Sequence, residues 1–292
     1  MPDWNHIAEY IHRATGRQFT ADSHLGVGGG SINDAYVLAG SDQKYFVKLN
    51  RPDLVGMFEA EAAGLTEIAN SQSVRVPQPV CHGASDGNSF IVLEYLELGN
   101  GDSSHALGQQ LASMHRVTKE QFGWGRDNTI GSTPQINTQS DDWVEFYGKR
   151  RLLYQLQLPG VRHYGKQLTS AGEQLVENLG VFFESYQPQA SLLHGDLWGG
   201  NRATMRDGGP VIFDPAVYYG DREADIAMTE LFGGFGPRFY DAYNEAWPLD
   251  PGYGTRKTLY NLYHVLNHLN LFGGGYGSQA YSMIGRLQSE YH

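Results

Sequence analysis

Cysteine is almost absent from the sequence. Cys81 is the only one among 292 residues, so no intrachain disulfide can form and a zinc site built from cysteines is excluded. Long hydrophobic runs are also missing, since no uninterrupted apolar stretch approaches the roughly 18 residues of a membrane span. The start, MPDWNH, lacks the basic and apolar regions of a signal peptide. We therefore expect a soluble protein of the reducing cytoplasm, with no membrane partner.

Basic residues are scarce relative to acidic ones. The 21 lysines and arginines stand against 32 aspartates and glutamates, which gives a formal net charge of −11. General nucleic-acid binding needs a basic surface, so the charge argues against a nucleic-acid partner. The apolar fraction of 40% and the aromatic fraction of 12% are too high for a protein that is mainly disordered. The sequence gives no indication of an oligomeric state.

The periodicity of apolar residues changes near residue 97. Before it, we predict a helix over 3–15, strands around a glycine turn at 26–30, a strand at 43–49, a helix over 56–70, and strands at 74–81 and 89–96. After it the pattern is mainly helical, with helices at 103–116, from 140 past 156, and at 170–186, 221–232, 237–246, 255–272 and 277–290. Two short apolar strands, 191–194 and 210–213, interrupt them. This predicts an α+β protein with an N-terminal lobe over 1–96 and a mainly helical lobe over 97–292, joined at the glycine-rich stretch 97–102.

The glycine turn lies between two predicted strands and contains Gly28, Gly29 and Gly30, followed by Ser31. A backbone without Cβ atoms can approach a phosphate closely and point its N–H groups at it. Three glycines in a hairpin are also compatible with a simple turn, so the turn alone does not indicate a function.

Lys48 lies on the following predicted strand and shares a face with Phe46. A buried ammonium needs a partner, and a carboxylate on the next helix can provide one. Glu61 is the predicted partner, since Glu59 points away from that side of the helix. A lysine fixed in this way can meet phosphate oxygens; the alternative is a lysine that reaches out to water.

The segment His194-Gly-Asp-Leu-Trp-Gly-Gly-Asn201 begins at the end of an apolar strand. On such a loop the carboxylate of Asp196 can accept a proton from an attacking hydroxyl, and the amide oxygen of Asn201 can bind a divalent cation. The spacing matches the HxDxxxxN catalytic loop of eukaryotic-like kinases. Asp214, at the tip of the next strand, is a second candidate metal ligand.

These motifs resemble those of the fructosamine kinases (ketosamine 3-kinases), in the aminoglycoside-phosphotransferase-like superfamily. The resemblance covers most of the sequence and is carried by GGGSINDAYVL (28–38), FVKLN (46–50), FEAEAAGL (58–65), VLEYLEL (92–98), LGQQLASMHR (107–116), FGWGRDNTIGSTPQIN (122–137), WVEFYGKRRLLYQLQL (143–158), LLHGDLWGGN (192–201) and FDPAVYYGDREADIAM (213–228). It implies a two-lobed protein-kinase-like fold with ATP and Mg²⁺ in the cleft. It also implies phosphorylation of the sugar 3-hydroxyl of ketosamines, free or protein-bound, and hence a role in deglycation.

The resemblance also implies a role for each matching residue. Asp196 would be the general base, Asn201 and Asp214 the Mg²⁺ ligands, and Lys48, paired with Glu61, the phosphate contact. At the hinge between the lobes, Glu94, Tyr95 and Leu96 would contact adenine, with the backbone carbonyl of Glu94 and the backbone N–H of Leu96 as the polar groups. Two positions depart from related patterns: Asp214 is followed by Pro-Ala instead of Phe-Gly, and Ser31 stands where some family members carry a redox-active cysteine.

The expected substrate combines a neutral sugar hydroxyl with a cationic secondary amine. The indole of Trp198 could stack on the sugar or lie over the ammonium, and Asp221 and Glu223 could supply negative charge. The alternatives are that Trp198 supports the loop and that Asp221 caps the helix at 221–232. For the whole protein, two other functions stay open: a kinase for an aminoglycoside-like or choline-like substrate, and a non-catalytic nucleotide-binding module.

Overall fold

The computed structural model describes residues 2–28, 32–85 and 87–291. The chain divides into two compact units: Met1–Ser103 with Arg202–Pro215, and Ser104–Asn201 with Ala216–His292. The junction lies at the end of the predicted 97–102 stretch. The return of residues 202–215 to the first unit was not predicted from the sequence.

The first unit is built on an antiparallel sheet of five strands. Its elements are α1 (Trp4–Thr15), β1 (Ser23–Val27), β2 (Asp34–Ala39), β3 (Lys44–Asn50), α2 (Val55–Asn70), β4 (Pro79–Ala84) and β5 (Ser89–Glu94). The strands lie in the order β1-β2-β3-β5-β4. Asp3 caps α1 by accepting the N–H of His6, and Ile7 and Ile11 bury the inner face of that helix in the core. The predicted N-terminal helix, with its Asp3 cap, is confirmed.

A second, smaller sheet explains why residues 202–215 belong to the first unit. It consists of β6 (Leu98–Gly99), β11 (Arg202–Met205) and β12 (Pro210–Ile212), in the order β12-β11-β6. β11 and β12 form a hairpin, and β11 also pairs with β6, which directly follows the large sheet. This pairing brings the end of β12, and with it Asp214, to the first unit.

The second unit is mainly helical. Its helices are α3 (Ser104–His115), α4 (Trp143–Phe146), α5 (Tyr154–Gln157), α6 (Pro159–Tyr164), α7 (Lys166–Glu177), α8 (Arg222–Leu231), α9 (Pro237–Ala246), α10 (Tyr253–Phe272) and α11 (Tyr276–Gln288). A three-stranded sheet joins β7 (Thr118–Lys119), β10 (Ala190–Leu193) and β13 (Tyr218–Gly220), and β8 (Asn128–Ile130) pairs with β9 (Thr133–Gln135). The loop that carries Asp196 follows β10. No helix among the described residues is both long and apolar enough to cross a membrane.

Three predicted elements differ from the structure. The strand expected at 74–81 begins only at Pro79, because Pro77 has no backbone N–H to donate to a sheet ladder, whereas a proline is tolerated as the first residue of a strand. The helix expected from 140 onward is interrupted by a π-helical segment at Tyr147–Leu153. The helix expected at 170–186 begins earlier, at Lys166, and ends at Glu177, followed by a short 3-10 helix at Leu179–Phe183.

Candidate active site

Lys48 of the first unit lies between two carboxylates. Its Nζ is 2.5 Å from Oε1 of Glu61 on α2 and 2.5 Å from Oδ1 of Asp214 after β12. Glu61 faces the sheet because Phe58 and Leu65, three residues before and four after it, form the buried face of α2. The predicted Lys48–Glu61 ion pair is confirmed, and Asp214 is a second partner of Lys48 that the sequence does not predict.

The charges in this cluster hold Lys48 in its protonated form. Its side chain is 7% exposed. Burial lowers the pKa of Lys48, but the nearby carboxylates of Asp214 and Glu61 outweigh burial and raise the pKa above its ordinary value. Lys48 therefore carries a fixed ammonium at neutral pH.

Asp214 stands in an unusual backbone conformation. Its φ is +59°, in the left-handed region that aspartate and asparagine adopt more readily than other side chains with a Cβ. One carboxylate oxygen contacts Lys48, while 46% of the side chain stays exposed. The carboxylate is thus oriented by Lys48 and still accessible on one side, as a cation ligand must be.

The predicted hinge residues lie at the end of β5. The carboxylate of Glu94 pairs with Arg75 and accepts the N–H of Gln78, and its own N–H donates to the carbonyl of Gln78 over 2.9 Å. Tyr95 has its ring under the ammonium of Lys44, 5.5 Å from the centroid. Because the backbone N–H of Glu94 already donates to Gln78, only its backbone carbonyl is left to contact adenine, as the sequence predicts. The adenine contacts of Glu94, Tyr95 and Leu96 stay predictions.

The glycine turn is described only in part. Gly28 follows β1, and a Cβ on it would meet no atom within 4 Å. Gly29, Gly30 and Ser31 lie outside the described residues, so their predicted phosphate contacts stay predictions.

In the second unit, the loop after β10 is held by a buried aspartate of α8. Asp225 accepts the backbone N–H of His194 over 2.7 Å and of Gly195 over 2.8 Å, and its carboxylate is 3.2 Å from Nε2 of His115. Gly195 has a φ of +82°, and a Cβ on it would lie 2.1 Å from the carbonyl oxygen of Ala216. Only glycine fits there, so the turn into Asp196 is fixed by Asp225 on one side and by Ala216 on the other.

Asp225 is ionised in spite of its burial. Burial raises the pKa of Asp225, but hydrogen bonds from His115 and from the loop outweigh burial and lower it below its usual range. Burial lowers the pKa of His115, and Tyr243 contacts its other ring nitrogen at 2.8 Å. The sequence predicts neither Asp225 nor His115 as a site residue, although both lie in segments that carry the family resemblance, 213–228 and 107–116.

Asp196 and Asn201 are close together on this loop. The amide nitrogen of Asn201 donates to the backbone oxygen of Asp196 over 2.8 Å and approaches its carboxylate at 3.3 Å. Asn201 is 5% exposed, and Asp196 is half-buried. Because the amide nitrogen is turned to Asp196, the side-chain oxygen of Asn201 is the atom that can bind a cation.

The donor chemistry of the predicted metal ligands fits Mg²⁺. Asn201 offers an amide oxygen and Asp214 a carboxylate, both hard oxygen ligands. In the described ranges, no group of three or more His, Cys, Asp or Glu side chains forms a metal cage. Mg²⁺ needs few protein ligands, because it keeps waters and binds substrate phosphates in their place. The assignment of Asn201 and Asp214 as Mg²⁺ ligands stays a prediction.

Trp198 is tied to the same loop and partly exposed. Its backbone N–H donates to the backbone oxygen of Asp196 over 3.1 Å, and 38% of the residue is exposed. Its ring covers Gly200, where a Cβ would lie 2.3 Å from the indole. An exposed indole on the loop of Asp196 agrees with the predicted substrate contact, which stays a prediction.

Asp221 and Glu223 occupy the interior instead of a substrate surface. Both are fully buried. Asp221 caps α8 by accepting the N–H of Glu223, and its carboxylate also accepts the hydroxyls of Tyr186 and Tyr260. Glu223 pairs in bidentate fashion with Arg256. The expected substrate contacts are therefore corrected: the capping alternative holds for Asp221, and Glu223 is half of an internal ion pair.

Comparisons with known proteins show which proteins this chain is similar to. A family model described as fructosamine kinase matches residues 3–290. A probable ketoamine kinase of Synechocystis is 50% identical over 284 residues, covering 96% of this chain and 95% of that protein. A chloroplastic protein-ribulosamine 3-kinase of Oryza sativa subsp. indica is 48% identical over 263 residues, covering 88% and 76%.

Solved structures share the fold. A crystal structure described as a putative fructosamine-3-kinase of Haemophilus somnus matches with a TM-score of 0.90 and 29% identity, over 97% of both proteins. A thermostable mutant of the aminoglycoside phosphotransferase APH(4)-Ia, solved in a ternary complex with AMP-PNP and hygromycin B, has a TM-score of 0.60 at 14% identity over 98% of both proteins. At this identity the likeness concerns the fold alone. The α+β, protein-kinase-like fold expected from the sequence is confirmed.

Proposed function

Because the chain belongs to the fructosamine kinase family, we propose that it transfers the γ-phosphate of ATP to the 3-hydroxyl of the sugar in ketosamines. It is an ATP-dependent phosphotransferase with an alcohol acceptor. The ketoamine kinase and ribulosamine 3-kinase names of its relatives favour a ketosamine over the aminoglycoside-like or choline-like substrates that the sequence left open.

The observation that carries this proposal is the loop of Asp196. Its backbone is fixed by the ionised carboxylate of Asp225 and by the glycine turn at Gly195. A preformed loop can hold a base in position without further ordering when substrate binds, and positioning is the main source of catalysis in phosphoryl transfer.

In the proposed reaction, Asp196 accepts the proton of the 3-hydroxyl while the oxygen attacks the γ-phosphorus. A new bond forms between that oxygen and phosphorus, and the bond from phosphorus to the bridging oxygen breaks, so that ADP leaves with the electron pair. The half-buried carboxylate of Asp196, close to the amide of Asn201, supports its role as the base.

Lys48 contributes a fixed positive charge to phosphate binding. Its ammonium is held by Glu61 and Asp214 and stays protonated at neutral pH. Gly28, Gly29, Gly30 and Ser31 would donate backbone N–H groups to the same phosphates, and Glu94, Tyr95 and Leu96 would bind adenine.

Asn201 and Asp214 would hold Mg²⁺. The ion would supply neutralisation of the charge on the transferring phosphate. Asp214 then has two functions, to fix the ammonium of Lys48 and to present its exposed side to the cation. The cytoplasmic location and the deglycation role expected from the sequence stay part of the proposal.

An assay of ADP formation tests the proposal. The purified protein is incubated with ATP and Mg²⁺ and a panel of acceptors: fructose and ribulose each linked to methylamine or to Nα-acetyl-lysine, an aminoglycoside, and choline. We expect ADP formation with at least one ketosamine, and loss of it when EDTA is in excess over Mg²⁺. The proposal would be overturned if only the aminoglycoside or choline gave ADP, or if none of the acceptors in the panel did.

A further inference from the structure

Trp198 is the first member of a series of neighbouring aromatic rings in the second unit. Its ring is 6.4 Å from that of Phe232, nearly at right angles, and the Phe232 ring is 5.0 Å from that of His268. His268 in turn lies 5.5 Å from Phe272 and 5.1 Å from Tyr276, measured between ring centroids. We name these five residues the aromatic row.

The aromatic row runs from the loop of Asp196 to the turn between α10 and α11. Trp198 is 38% exposed and Phe272 54% exposed, and the other three rings are half-buried. Rings that served only to fill the core between helices would be buried, whereas these rings are partly exposed. Ring faces attract cations and cover aliphatic groups, so such a surface suits a ligand that combines the two.

His268 supplies one polar atom in the middle of the row. Its Nδ1 is 2.8 Å from the backbone oxygen of His264 and must carry the hydrogen, because a carbonyl only accepts. Burial lowers the pKa of His268, against a smaller opposing effect of that hydrogen bond, so the ring is neutral at physiological pH. Its Nε2 therefore carries a lone pair and is able to accept a hydrogen bond.

We propose that the aromatic row binds the amine side of the substrate, namely the secondary ammonium of a glycated lysine, its alkyl stem and the amide that follows. This inference rests on the proposed function, since it assigns a subsite for the same ketosamine substrate.

The chemistry of the substrate fits the order of the row. The amine is attached to the sugar carbon that lies two carbons from the one bearing the 3-hydroxyl, so a sugar held at Asp196 presents its ammonium beside the loop. Trp198 lies there, because its backbone N–H donates to the backbone oxygen of Asp196. The four-carbon lysine stem then lies over Phe232, and an amide N–H beyond it can donate to Nε2 of His268. A sugar would need several polar partners, whereas the row consists mainly of aromatic carbon, which favours an alkylamine as its occupant.

The test is the selectivity between two substrates that share a sugar. Both are made with whichever ketose gives turnover: one carries methylamine, the other the side chain of Nα-acetyl-lysine methylamide. The measured quantity is the ratio of kcat/KM for the lysine ketosamine to kcat/KM for the methylamine ketosamine. This ratio does not depend on the fraction of folded enzyme, so a partly misfolded variant still gives an answer.

We expect wild-type enzyme to favour the lysine ketosamine by about tenfold or more. Phe232→Leu and His268→Leu should each lower the ratio several-fold, and His268→Gln should lower it less because its amide oxygen can still accept. The matched control is Tyr281→Leu, which removes an exposed ring from α11 outside the row; it should keep the wild-type ratio.

The outcomes separate the two proposals. A wild-type ratio near one, or the same ratio in Phe232→Leu, His268→Leu and Tyr281→Leu, would overturn the assignment of the aromatic row while ketosamine turnover stands. Absence of turnover with every ketosamine would overturn the proposed function, and the inference with it.

Discussion

At the scale of single residues, Lys48 shows how a charge can be kept in a protein interior. Its ammonium is stabilised by one buried carboxylate, Glu61, and by one half-exposed carboxylate, Asp214. Removing one member of such a cluster leaves another charge without its partner, and this costs more than removing both members of a pair together.

We therefore predict that Lys48→Met destabilises the protein by about 3–5 kcal/mol, because Glu61 is left buried without a counter-charge. The double variant Lys48→Met/Glu61→Gln should recover part of this loss, while both variants should lose ATP affinity. The measurements are urea unfolding and ATP titration. Equal free energies of unfolding for the single and the double variant would contradict this account of the cluster.

Two adjacent glycines give a second prediction at this scale. A Cβ on Gly200 would lie 2.3 Å from the ring of Trp198, whereas a Cβ on Gly199 would meet no atom within 4 Å. Gly200→Ala should displace the indole and raise KM for the ketosamine several-fold with little change in KM for ATP. Gly199→Ala is the matched control and should stay near wild type. A similar KM for the ketosamine in both variants would show that the position of the indole is unimportant.

At the scale of elements, helix α8 supports the loop that carries Asp196, the proposed general base. Asp225 accepts three hydrogen bonds with its two carboxylate oxygens. In Asp225→Asn an amide nitrogen replaces one carboxylate oxygen, and this nitrogen cannot accept a hydrogen bond from a backbone N–H. We expect kcat to fall about 10- to 100-fold, since a displaced base is a positioning defect, with KM for ATP nearly unchanged. Asp241→Asn, an exposed position on α9, is the control. An unchanged kcat in Asp225→Asn would contradict the positioning role.

Helix α10 holds a buried histidine that makes stability depend on pH. His264 is 4% exposed, and its Nδ1 has no hydrogen-bond partner within the described residues. Burial and the neighbouring His268 lower the pKa of His264 to about 3, whereas an unfolded histidine titrates near 6.5. Below about pH 6.5 the unfolded protein binds a proton that the folded protein resists, so stability present at neutral pH is lost as the pH falls towards 3.

We predict that acidification from pH 6.5 to pH 5 costs about 2 kcal/mol through His264 alone, at about 1.4 kcal/mol per pH unit. The variant His264→Gln should lose less stability than wild type over this range, by about that amount. Urea unfolding at the two pH values measures it. Parallel pH dependence of the two proteins would show that His264 does not titrate as described.

The elements also show what the sequence could predict. The sequence predicts Glu61 as the partner of Lys48, because period-two and helical patterns decide which side chains face each other. It does not predict the π-helical segment at Tyr147–Leu153, because the apolar residues there fit an ordinary helix. The sequence suggests a substrate contact for Asp221 and Glu223 only because they follow the strand that ends at Asp214, a predicted metal ligand. Their true partners, Tyr186, Tyr260 and Arg256, come from distant segments that no local pattern connects to them.

At the scale of the whole molecule, each compact unit is formed by two segments that are separated along the sequence. Residues 202–215 return to the first unit through the pairing of β11 with β6, and β11 begins one residue after Asn201. A sequence read from one end to the other predicts one boundary and misses this return, because strands of two and four residues carry little periodicity. The return is what brings Asp214 to Lys48.

The most direct test of the account is to locate the transferred phosphate. The protein is incubated with ATP, Mg²⁺ and a ketosamine labelled with ¹³C at the third sugar carbon, and the product is analysed by ¹³C and ³¹P NMR. The account predicts a phosphorus coupling at the labelled carbon with wild-type enzyme. It also predicts a rate reduced about 10²- to 10⁴-fold in Asp196→Asn, with nucleotide affinity retained. Phosphate on another atom, or near-normal turnover by Asp196→Asn, would contradict it.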